Sequence, residues 1–149
     1  MQLDELFSLD FMLCPSVLKE VKDHYWDFMA DFRVFGFFTD LDFLKAQLEN
    51  ASNYSLICAI RNPEDRPRLP DYLSEFEFVG FDLLEVESTT SALTNCGGFP
   101  LAFDNSELSP KGLIHDYARA DEIRRALLRE YPEEPHAECD LWAVFVLHQ

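Results

Sequence analysis

FEFVGFDLLEVESTTSALTNCGGFPLAFDNSELSPKGLI, residues 76–114, joins the densest aromatic strand pattern in the chain to its only pair of adjacent glycines. Phe76 and Phe78 alternate with Glu75 and Glu77, the period of two that a half-buried strand shows. The phase slips at Gly80 and resumes as Phe81, Asp82, Leu83, which calls for a bulge or a close backbone approach at the glycine. After Glu87 come small hydroxylated residues, Ser88 to Ser91, and then Thr94-Asn95-Cys96-Gly97-Gly98-Phe99-Pro100, where two glycines and a proline force a turn. A strand therefore feeds a long irregular loop. Asp104, Asn105 and Ser106 can each cap a short helix at the end of that loop, and Ser109-Pro110 repeats the signal with proline at a first helical position. Loops carried by a rigid strand are where binding and chemistry concentrate.

Outward from this stretch, the flanking segments supply a sheet and its helices. Tyr54 to Ile60 (YSLICAI) and Leu141 to Leu147 (LWAVFVL) are apolar on both faces, as interior strands are. Between Ala118 and Tyr131, residues Ala120, Ile123, Leu127 and Tyr131 recur at helical spacing with arginines on the other faces, and Pro132 stops the pattern. On the N-terminal side, a helix is expected over 16–32 behind Ser16 and a second over 39–48 behind Thr39 or Asp40. The apolar opening from Leu6 to Leu13 predicts a short helix followed by an edge strand. Three prolines between Arg61 and Pro70 mark a surface loop. The fold class expected is α+β, a single domain over 1–149 with helices packed on a small mixed or antiparallel sheet. The strands at 54–60 and 76–84 are expected to pair antiparallel, and the helix before the last strand allows a parallel crossover. The expected sheet interior is Leu56, Cys58, Ile60, Phe78, Phe81, Trp142, Val144 and Val146.

A chain of 149 residues that is 48% hydrophobic can bury a sizeable core, so its high charge does not signal disorder. Twelve Lys and Arg stand against 28 Asp and Glu, a net charge of -16. That sign opposes binding to nucleic-acid phosphates or to anionic membranes and favours a basic protein partner. Acids near the N-terminus, where a secretory leader carries basic residues, and the lack of a membrane-length apolar run predict a cytoplasmic protein. Cys14, Cys58, Cys96 and Cys139 are widely spaced and read as free thiols. The chain is expected to be a monomer or a weak dimer.

From Leu69 to Pro110 there is no Lys or Arg, while Asp71, Glu75, Glu77, Asp82, Glu85, Glu87, Asp104 and Glu107 are all acidic. As a partner-binding set, the residues around the loop are Glu85, Glu87, Thr90, Asn95, Asp104 and Glu107. The alternative is an ordinary solvated face, since net charge speaks to solubility as well as to association. Cys96, at the Gly-Gly turn, would be a nucleophile if His115 or His136 lowered its pKa, although no protease or redox motif surrounds it. Cys96, His115, His136 and Cys139 together offer zinc ligands, but only one close-spaced pair is present where structural sites show two. No dinucleotide, phosphate-loop, serine-elbow or HExxH motif occurs, and no cofactor is expected.

Small size, strong acidity and the lack of a catalytic motif together resemble the immunity proteins with which bacteria block basic nuclease and other toxin domains. Ser91 to Pro100 (SALTNCGGFP) and Cys139 to Ala143 (CDLWA) look like fixed features of a bacterial family. The resemblance implies occlusion of a cognate toxin, with acids pairing toxin Lys and Arg. Two further readings stand behind it. One is a small enzyme or zinc protein built on the Cys96 loop, and the other an acidic mimic of DNA that blocks a nucleic-acid-binding protein.

Overall fold

Only a strand that can be covered on both faces suits the middle of a small sheet, and the C-terminal strand takes such a place, between the strands at 56–61 and 76–85. The computed structural model describes residues 5–9, 56–87, 91–94 and 98–147. The helices expected over 16–32 and 39–48 lie outside these residues, as does the Leu56 side chain. Among the described residues four strands form one sheet: β1 (Glu5–Leu9), β2 (Leu56–Arg61), β3 (Phe76–Glu85) and β4 (Cys139–Leu147), in the order β1-β2-β4-β3. Every pairing is antiparallel. The α+β class is as the sequence predicts.

Two expectations about the sheet are corrected. β2 and β3 do not pair with each other, because both pair with β4, from Ile57 opposite Val146 and from Phe76 opposite Leu147. No parallel crossover joins β3 to β4: the excursion from Val86 to Glu138 leaves and returns at the same end, where Glu85 faces Cys139. The reason lies in side chains rather than in chain proximity. β4 buries Leu141, Ala143 and Phe145 on one face and Trp142 on the other, whereas β3 carries Glu77 and Asp82 and suits an edge. The strand near the N-terminus is at an edge as expected, but it starts at Glu5, within the apolar opening rather than after a helix.

Among the described residues the sheet carries α1 (Tyr117–Glu130), one residue longer at its start than its periodicity predicts. Asp116 caps it by accepting the Arg119 N–H at 2.7 Å, and Tyr131 ends it ahead of Pro132 with its N–H on the Leu127 carbonyl at 3.0 Å. Ala120, Ile123, Ala126 and Leu127 are buried against the face that carries Cys58, Phe81, Leu83, Leu141 and Phe145. The long loop fills the rest of this layer with Leu93, Phe99, Phe103 and Ile114. Phe78 and Phe81 meet edge to face at 5.1 Å, and Phe81 meets Tyr117 of the helix at 5.6 Å. The opposite face of the sheet groups Ala59, Leu84 and Trp142. Of the expected interior, Cys58, Phe81 and Trp142 are fully buried, while Ile60, Phe78, Val144 and Val146 are half-buried.

The turn signals in the loop divide. Asp104 caps a single 3-10 turn over Asn105–Glu107, with its side chain on the Ser106 N–H and the Glu107 side chain on its own N–H. Ser109-Pro110 starts no helix. The Gly112 N–H closes a tight turn on the Ser109 carbonyl at 2.8 Å, Ser109 donates to the Leu113 carbonyl, and Gly112 at φ +78 takes the chain out of helical geometry.

Candidate functional site

The phase slip in β3 is a bulge, and it is also a close approach. Phe78 faces Phe145 and Gly80 faces Val144, so Val79 is the extra residue. Gly80 has φ +145, and a Cβ there would lie 2.8 Å from the Leu113 Cβ and 3.2 Å from the Ile114 carbonyl. Without a side chain in the way, Phe81 and Ile114 exchange two backbone hydrogen bonds, of 2.7 and 3.0 Å. One residue pair thus fastens the far end of the loop to the outer edge of β3.

Asp82 seals the next stretch of that edge. Its Oδ1 accepts the Leu83 N–H at 2.8 Å and the Ser91 hydroxyl at 2.7 Å, while the Leu83 carbonyl accepts the Ala92 N–H at 2.8 Å. Ser91 Oγ in turn accepts the Thr94 N–H at 3.3 Å. Thr94 is held from beyond as well, since a Cβ on Gly112 would sit 2.7 Å from its Cγ2. Burial pushes the Asp82 carboxyl up to about 6, against the pull of the Ser91 hydroxyl and the Leu83 N–H. The carboxylate therefore stands in for part of a neighbouring strand. Among the described residues no histidine hydrogen-bonds to Ser91 or Asp82.

Along α1 the cations are consumed internally. Arg119 grips Glu107 through Nε at 2.6 Å and Nη2 at 3.0 Å, and also reaches Glu122 at 3.1 Å. Arg124 and Arg125 share Asp121, and Arg129 pairs with Glu130 at 3.0 Å. Off the helix, Arg61 lies over the Trp142 ring at 5.0 Å and meets Asp140 at 3.5 Å. The hydrogen bonds from Arg119 hold the Glu107 carboxyl below its usual range, and the Ser106 hydroxyl, followed by the Ser106 N–H, lowers Asp104. Both acids are thereby tied to the loop they stabilise.

Of the residues singled out from sequence, the described ones are differently placed. Glu85, expected to point outward, is only 6% exposed, because the shift at the bulge puts it on the face of Phe81 and Leu83. Asp104 and Glu107 are at the surface but engaged, in the cap and with Arg119. Glu87 is exposed. Thr90, Asn95 and Cys96 lie outside the described residues. His115 is exposed ahead of α1, and His136 is half-buried in the turns after it, with a buried Nδ1 that meets no hydrogen-bond partner. Cys139 is buried and donates its thiol proton to the His136 carbonyl at 3.3 Å. Burial first, and then the charges of Asp82, Glu85 and Asp140, push this thiol up to about 12. That opposes the thiolate a metal or a nucleophile requires. Among the described residues, no group of three or more His, Cys, Asp or Glu is placed to hold a metal ion.

A different set of acids lies along and beside the connection into β4. The Val86 N–H donates to the Glu138 carbonyl at 3.0 Å, so Glu87 and Glu138 leave the same end of the β3–β4 ladder. Two successive turns, Glu134 N–H to Tyr131 and Ala137 N–H to Glu134, bring Glu133 and Glu134 into the same connection. The side chains of Glu87, Glu133, Glu134 and Glu138 are exposed and form no ion pair with a described cation. Three of these four fall outside the partner-binding set read from sequence. The available signal was the acidic connection Glu133-Glu134 to Glu138 between a helix stop and an apolar strand. Comparison of the chain with family models, with characterised proteins and with solved structures returns no match.

Proposed function

We propose that the chain is a protein-binding inhibitor of the immunity type, which neutralises a basic bacterial toxin domain in the cytoplasm by covering it. The observation that supports this reading is the internal use of cations. Every arginine of α1 is spent on a neighbouring acid, while Glu87 and Glu138 at one end of the β3–β4 ladder, and Glu133 and Glu134 in the connection leading to it, remain exposed without a described cation. A chain of net charge -16 arranged this way attracts a basic surface and repels its own copies. No described helix is long and apolar enough to cross a membrane.

Co-expression with the product of an adjoining reading frame of opposite charge tests the proposal. Growth arrest by that product alone, relieved when this chain is present, is the expected result, with the two proteins co-purifying as a complex. Persistent arrest despite soluble, folded chain, or relief without complex formation, overturns inhibition by occlusion.

A further inference from the structure

We draw no further inference here: the strongest candidate, the exposed carboxylates Glu87 and Glu138 at the end of the β3–β4 ladder, belongs to the surface already proposed, and nothing else in the structure marks a ligand there.

Discussion

Asp82 holds a place that an uncharged acceptor fills equally well, since a single oxygen receives both the Leu83 N–H and the Ser91 hydroxyl. Its carboxyl titrates near 3.8 when unperturbed and at about 6 in the fold. Between those values the folded chain binds more protons than the unfolded one, so this residue lowers stability as pH rises through the window, and its effect levels off above it. Asp82→Asn keeps the Oδ1 acceptor and removes the charge. The variant is expected to match or exceed the parent at pH 7, by up to about 3 kcal/mol. Relative to the parent, it also loses the decline between pH 4 and 6. Urea melts across pH measure both, and a variant less stable at pH 7 with an unchanged pH profile would show that the charge itself is needed. Buried sulfur gives a second test at this scale. Cys58 is 0% exposed and so shielded from reagent, and Cys139 is 4% exposed with its thiol pushed up to about 12, so it presents no thiolate near neutrality. Peptide-level mass spectrometry after iodoacetamide treatment at pH 7 is expected to find both unmodified until denaturant is added; rapid labelling of Cys139 in the folded chain would reverse the assignment of a buried, inert thiol.

The bulge in β3 is where strand, loop and turn meet, so it tests the element as a unit. Gly80→Ala forces a Cβ to within 2.8 Å of Leu113 at a φ of +145, and the expected cost is about 1–3 kcal/mol for the backbone conformation, with more for the displaced turn. Hydrogen exchange discriminates this from general loosening. The Phe81 and Ile114 amides should lose protection while those of α1 keep theirs, and uniform loss across the domain would mean that Gly80 is not a local fastening. This element was visible in sequence because one inserted residue moves every later side chain to the other face, and a period of two records that slip. α1 was visible for a similar reason, with its apolar spacing ended by Pro132. The burial of Glu85 is legible too, since it follows Phe81 and Leu83 at steps of two, and the outward alternation of Glu75 and Glu77 does not extend past the bulge. Strand order was harder to read. Pairing depends on which strand tolerates cover on both faces, and the uninterrupted apolar run from Leu141 to Leu147 outweighs the shorter connection between β2 and β3. The recruitment of Asp82 by Ser91 joins residues nine apart through a loop conformation that no periodicity encodes.

At the scale of the whole molecule the question is whether charge acts as a total or as a pattern. The total is -16, and any basic protein feels it, but a field decays over a Debye length of about 8 Å at physiological ionic strength. Docking therefore senses which carboxylates lie near the contact. Two pairs of exposed acids sit at opposite ends of the β3–β4 ladder. Glu87 and Glu138 flank the end where Glu85 faces Cys139, and Asp71 and Glu75 precede the end where Phe76 faces Leu147. Reversing either pair to Lys changes the net charge equally, so the comparison separates position from sum. If the partner docks at the Glu87 end, Glu87→Lys with Glu138→Lys should slow association about tenfold or more at low ionic strength and flatten its salt dependence. Asp71→Lys with Glu75→Lys should then have a much smaller effect. Stopped-flow association against ionic strength, using the partner recovered by co-expression, supplies the measurement, and thermal melts of both double variants confirm that each still folds. Equal slowing by the two pairs would mean that only the overall charge matters. No slowing by either would remove the electrostatic basis for a basic partner and leave the acids as a solvated surface.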